Sequence, residues 1–144
     1  MKGGSVLTLA VLVTVLVALV VLIAIAWRIW AVRAARRKAI GALIEECPGF
    51  DDRLEGRDAT LLFSQADEML GIASHRVMKI LPFSIIRKWR AEPIYNSAGK
   101  CVGWNFIIET GDTQEPIWTM RMRSGPGQAV PNFWMAKFSA HLNG

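Results

Sequence analysis

The sequence holds little of what catalytic and metal-binding proteins are usually built from. It has two cysteines, two histidines and one tyrosine in 144 residues. Cys47 and Cys101 are too few and too scattered for a disulfide framework or a zinc site. With the topology argued below they are expected as reduced thiols. His75 falls in "ASHRV", a turn between strands, and His141 lies near the chain end, so both are expected as solvated surface residues rather than bases. No spacing joins Cys47, His75, Cys101 and His141 into a ligand set. "SAGK" (97–100) has the Lys of a phosphate-binding loop without its leading Gly or following Ser/Thr, and reads as a hairpin turn. The acid pairs Asp51-Asp52 and Asp67-Glu68 sit in connectors, away from any cleft with sugar-stacking aromatics. These absences predict a non-enzymatic protein with no cofactor and no metal.

Acid is missing altogether from residues 1–38, which hold Lys2, Arg28, Arg33, Arg36, Arg37 and Lys38. The rest of the chain carries the other 11 Lys/Arg and all 12 Asp/Glu, a balance of −1. The pI near 9.7 therefore belongs to the amino-terminal arm. A nucleic-acid-binding domain would carry the basic excess on its folded part, so no nucleic-acid partner is expected.

What the arm does have is a long apolar run. After a short tail (1–5), residues 6–27 contain no charge, and only Thr8 and Thr14 interrupt the hydrocarbon. About 22 residues give about 33 Å of helix, enough for a hydrocarbon core of about 30 Å. A cleaved signal peptide would have a shorter core, its cations in front and small residues behind. Here Trp27-Arg28-Ile29-Trp30 stands at the far end, which argues for an uncleaved transmembrane helix. Trp27 and Trp30 suit the headgroup layer. Arg28, Arg33, Arg36, Arg37 and Lys38 outnumber the single Lys2 ahead of the span, so the positive-inside rule places the amino terminus outside and the rest in the cytoplasm. That is the topology of a single-pass inner (cytoplasmic) membrane protein. The cations scatter around the helix instead of lining one face, which points to generic attraction to anionic lipids. Ala10, Thr14 and Ala18 form a stripe of small residues, a candidate helix–helix face.

Residues 28–57 read as a basic juxtamembrane helix, stopped at Cys47-Pro48-Gly49, and a polar connector "FDDRLEGRD". From 58 to 144 the pattern is that of a small antiparallel β domain of about 87 residues, enough to bury a core. Strands are predicted at 59–64, 69–74, 77–83, 85–95, 101–110 and 117–123. Pro93 marks the fourth predicted strand as an edge or bulge, and "NSAGK" (96–100) as a hairpin turn. In "CVGWNFIIET", Val102, Trp104, Phe106 and Ile108 share one face, with Asn105 and Glu109 on the other. "IWTMRMR" alternates Trp118, Met120 and Met122 inward with Thr119, Arg121 and Arg123 outward. A carboxyl-terminal amphipathic helix follows at 131–142, with Pro131 at its start. Its predicted stripe is Trp134, Phe138 and Leu142, with Phe133 beside it and Lys137 and His141 off it.

The fold class is thus α+β: a transmembrane helix, a small antiparallel sheet or roll, and a closing helix. Trp89 in mid-strand, the "TGDTQEP" hairpin and the "NFWMAKF" helix with Trp134 resemble the pleckstrin-homology-like architecture. They also resemble small bacterial proteins that hang such a domain below a single membrane span. The sequence shows six strands where that architecture has seven. Members of that fold bind partner proteins, and some bind phosphoinositides, but the fold alone licenses neither activity.

Two functions from different classes follow. The first is a membrane-anchored interaction or scaffold domain with a protein partner or a second copy of itself, as in a subunit of an envelope assembly for secretion, conjugation or a mobile element. The alternative is an inner-leaflet lipid-sensing domain. Its candidate basic surface is Arg87, Lys88, Arg90, Arg121 and Arg123 on neighbouring strands.

Overall fold

The computed structural model describes residues 2–143. They divide into two compact units that part between Ala35 and Arg36. Helix α1, Lys2–Glu46, supplies the described part of the first unit and the opening turns of the second.

In the first unit the described apolar side chains are exposed as far as Ala31, and the best 18-residue stretch has a mean hydropathy of 3.3. This is one helix long and apolar enough to cross a membrane. Its two hydroxyls are satisfied within the helix: Thr8 Oγ1 donates to Gly4 O at 2.6 Å and Thr14 Oγ1 to Ala10 O at 2.8 Å. Such back-bonding is what a hydroxyl needs where no water reaches it.

The second unit contains two antiparallel sheets and a closing helix. Strands β1 (Asp52–Glu55), β2 (Ala59–Ser64), β3 (Met69–Ser74) and β4 (Met78–Pro82) pair in sequence order. A single 3-10 turn, Phe83–Ile85, leads into the second sheet of β5 (Ile86–Tyr95), β6 (Cys101–Thr110) and β7 (Ile117–Arg121), also in order. A bridge between Gly56 and Met122 joins the two sheets. Helix α2 spans Ala129–Leu142. Alternation along each strand sends Leu54, Leu61, Phe63, Leu70, Ile72 and Leu81 from the first sheet against Phe106, Ile108, Trp118 and Met120 from the second. Trp134 and Phe138 of α2 complete that core, with Phe138 5.6 Å from Phe63 and 5.1 Å from Phe106 between ring centroids.

The α+β reading holds, with seven strands instead of six. The seventh is β1, inside "FDDRLEGRD", which was expected as a connector. With one apolar residue, Leu54, between Arg53 and Glu55, it is too short for alternation to show. Pro93 does lie on an edge strand, β5. The "NSAGK" turn is built as its residues dictate: Asn96 Oδ1 accepts the N–H groups of Ala98 and Lys100, and Gly99 takes φ 76°. Val102 departs from expectation. A register shift between Ile94 and Tyr95 re-aims it, and it is exposed instead of sharing the inner face with Trp104.

The last turns of α1 are part of the domain. Leu43 is fully buried and, with Ala39 and Ile40, covers Leu62, Ala73 and Ile80 on the outer face of the first sheet. Phe50 lies over Gly71 on the same face. Every residue of β2 is consequently buried, on both sides of the sheet. Arg36 donates from Nη1 to Gly56 O at 3.1 Å and from Nη2 to Arg57 O, tying this segment to the β1–β2 turn.

Candidate functional site

The second sheet differs from the first in what lies on its outer side. Its inner-facing residues are fixed by the register: Trp89 opposite Ile108, and Phe106 between Ala91 and Met120. The outward positions are therefore Lys88, Arg90 and Glu92 on β5, Asn105, Ile107 and Glu109 on β6, and Ile117, Thr119 and Arg121 on β7. Ile107 sits between Arg90 and Thr119 and is only 6 % exposed, yet it belongs to neither buried cluster. Ile117 at the β7 end is 57 % exposed.

Of the five cations expected to form a basic surface, three share this face. Arg90 Nε bonds Glu92 at 2.7 Å and its Nη1 bonds Glu109. Those hydrogen bonds, Glu92 first, raise the pKa of the guanidinium further above its ordinary value. Lys88 stands opposite Glu109 in the register. Arg121 lays its guanidinium over Gly103. Arg87 is set apart by the irregularity between Ile86 and Lys88 and lies beside Gly111, while Arg123 is exposed past the end of β7. The face carries cations and acids interleaved. Trp89 turns the other way, its ring 5.1 Å from Phe138 and its Nε1 donating to Ser139 Oγ at 3.2 Å.

A second polar cluster joins α2 to β1. Lys137 Nζ lies 2.6 Å from Asp52 Oδ1, and His141 Nε2 lies 2.9 Å from Asp52 Oδ2. His141 Nδ1 is 3.0 Å from Gln65 Oε1, and its ring stacks on Phe63 at 4.3 Å with planes 7° apart. Burial alone would push Asp52 up, but hydrogen bonds from Lys137 and His141 outweigh it and hold the carboxyl below its ordinary range. His141 is thus not the solvated residue expected. It stands seven positions after Trp134, which at 100° per residue puts it about 20° from that ring, on the edge of the buried stripe. By the same geometry Phe133, one position before Trp134, falls about 100° off it and is exposed. An acid–imidazole pair can orient a catalytic base, but the remaining partners here are an amide and an ammonium, not a nucleophile.

A third cluster is formed by Cys47, Ser64 and Asp67. Ser64 Oγ donates to Asp67 Oδ2 at 2.9 Å and Cys47 Sγ to the same oxygen at 3.3 Å. Burial and the neighbouring carboxylate raise the Cys47 pKa, the reverse of what a reactive thiol needs. His75 is exposed in a turn in which Ser74 Oγ accepts the N–H groups of Arg76 and Val77. Among the described residues no group of three or more His, Cys, Asp or Glu side chains is arranged to hold a metal.

In the first unit, the rings of Trp27 and Trp30 lie 5.4 Å apart and both are exposed, as are Arg28 and Arg33. Ala10, Thr14 and Ala18 are exposed, and the Thr14 hydroxyl is already engaged by Ala10 O. Arg37 and Lys38 are exposed, but Arg36, expected with them at the membrane surface, reaches the carbonyls of Gly56 and Arg57. Sequence alone had no signal for that contact, since its partners are backbone oxygens about twenty residues away.

No family model matches the chain, and no curated protein or solved structure does either.

Proposed function

We propose that the chain is a single-pass inner-membrane protein whose cytoplasmic domain is a non-enzymatic interaction module, a subunit of a larger envelope assembly. The orientation rests on the cation excess after the apolar run, with the amino terminus outside. The interaction role rests on the outer face of the second sheet. There the exposed Ile117 stands at the β7 end beside Glu109, on the same face as Lys88, Arg90, Glu92 and Arg121, with Ile107 buried beneath them. Interleaved charge of both signs beside an exposed apolar side chain matches a protein surface, where paired groups confer register and specificity. An anionic leaflet rewards a surplus of cations instead. The lipid-sensing alternative has less support, because Glu92 and Glu109 bracket the central cation of its candidate surface.

The test is photocrosslinking in intact cells from residues placed at Ile117 and Thr119, with a control at His75, followed by mass spectrometry of the adducts. A reproducible protein adduct from the sheet face and not from the control supports the reading and identifies the assembly. Adducts to lipid alone at Ile117 and Thr119 would replace it with the lipid-sensing alternative.

A further inference from the structure

The chain after residue 38 is nearly neutral, but strand pairing sorts the charges of the second unit by end. Arg36, where α1 enters this unit, bonds Gly56 O and Arg57 O in the β1–β2 turn. Helix α1 finishes at the opposite end, where Cys47 Sγ lies 3.3 Å from Asp67 Oδ2 in the β2–β3 turn. The unit therefore has a tethered end and a far end. The tail of β7 is at the tethered end, because Arg57 N–H donates to Arg121 O at 2.7 Å and Gly56 bridges Met122. So is the β3–β4 turn, since Ser74 pairs with Ala59 at the start of β2. These contacts gather Arg36, Arg57, Arg76, Arg121 and Arg123. Against them stands Asp58, whose Oδ1 accepts the Arg121 N–H at 2.9 Å, while nearby Glu55 is paired with Arg53. At the far end Glu45 and Glu46 close α1 beside Asp67 and Glu68. Phe83 N–H donates to Glu68 O and Gly111 N–H to Ile85 O, which brings the β6–β7 loop with Asp112 and Glu115 to the same end. The cations beside these acids are Lys79, paired with Asp112 at 3.1 Å, Arg87 near Gly111, and Lys88 opposite Glu109.

We propose that the tethered end rests on an anionic lipid leaflet, with Arg57, Arg76 and Arg123 against the phosphates and the acidic end turned away. All three are exposed, and none forms an ion pair among the described residues. Unpaired guanidiniums spread over three separate turns suit a surface of mobile charges, which demands no fixed register. The same field repels the far end, so both halves of the asymmetry favour one orientation. The tether supplies the proximity. Arg36 follows Trp30 by six residues, and no conformation of that stretch spans more than about 21 Å. The proposal rests on α1 crossing the membrane and not on the protein partner, since none of the three anchors lies on the outer face of the second sheet. Unlike the lipid-sensing alternative, it requires no recognition of a particular headgroup.

The experiment places the 15N-labelled full chain in nanodiscs of phosphatidylcholine, alone or with phosphatidylglycerol at about 30 %. Both kinds of disc are doped with a lipid that carries gadolinium on its headgroup, so relaxation enhancement of a backbone amide reads its closeness to the surface. In the anionic discs the amides of Arg57, Arg76 and Arg123 are expected to be enhanced at least about threefold more than in the neutral ones, and those of Glu68 and Glu115 no more. The difference should shrink at about 0.5 M salt, where screening is stronger. Changing all three arginines to Gln is expected to abolish it, and changing all three to Lys to keep it, with unshifted Phe106 and Ile108 amides reporting an intact core. Equal enhancement in the two lipids, an anionic gain at Glu68 and Glu115, or loss of the effect in the folded Lys variant overturns the proposal. A chain that does not enter the discs overturns the membrane anchor together with it.

Discussion

Trp134 shows how much of this domain hangs on single side chains. It is 3 % exposed, 5.5 Å from the Phe106 ring, and its edge reaches toward Gly56 at the β1–β2 turn. Removing it leaves a cavity at the junction of both sheets and α2, so Trp134→Ala should cost about 3 to 5 kcal/mol, read as a lower denaturant midpoint. An unchanged midpoint would mean that α2 is not docked where the structure puts it. Asp52 allows a finer test. Its carboxyl titrates below the ordinary value of 3.8 because Lys137 and His141 bond the charged form more than burial opposes it. A depressed acid contributes stability that is complete above its unfolded pKa and is lost as pH falls through the folded one. The stability lead of the parent over Asp52→Asn is therefore expected to be largest above about pH 4 and to vanish under more acidic conditions. For a partly exposed pair that lead is about 0.2 to 1 kcal/mol. Thermal melts of both proteins at pH 6 and pH 3 measure it, and a lead that grows on acidification would contradict the pairing.

At the scale of elements, the last turns of α1 are the piece whose role changes most between sequence and structure. Read as a juxtamembrane rod, residues 36–46 would tolerate substitution; as the lid on the first sheet they would not. Leu43→Ala should cost about 2 to 5 kcal/mol, whereas Ile44→Ala, at a position 40 % exposed, should stay within about 0.5 kcal/mol. Equal small effects at both positions, in chemical denaturation of the full chain in nanodiscs, would return the segment to a rod. This contrast also marks what was legible beforehand. Strands β2, β3 and β6 and the start of β7 were readable to the residue, because turn formers bound each one and apolar residues run in period 2 or in a block. Strand β1 was not, since Leu54 alone carries no period. The cover of the first sheet was hidden for another reason. Leu43, Ala39 and Ile40 look like a natural continuation of the membrane helix, and nothing local distinguishes a residue facing lipid from one facing a sheet. The candidate surface was half legible: alternation placed Lys88, Arg90 and Arg121 together, but Glu92 and Glu109 become their neighbours only through strand pairing.

For the whole molecule, the decisive asymmetry is electrostatic. Six cations without an acid flank the apolar run, while the remainder of the chain is nearly neutral. If loop cations set the orientation, the ones that matter are those free to meet headgroups. Arg36 is engaged with the carbonyls of Gly56 and Arg57, so replacing it would confound topology with folding. Arg33, Arg37 and Lys38 are exposed and carry no such risk. Changing all three to Gln leaves Arg28 and Arg36 after the span against Lys2 and the amino terminus before it, which brings the two sides close to balance. The expected outcome is a mixed population in place of one orientation. Paired fusions at the carboxyl terminus, one reporter active only in the cytoplasm and one only outside, would then both give signal, where the parent chain is expected to give the cytoplasmic signal alone. An orientation that stays uniform in the triple variant would mean that the folded mass of the domain, and not these side chains, keeps the carboxyl-terminal side where it is made.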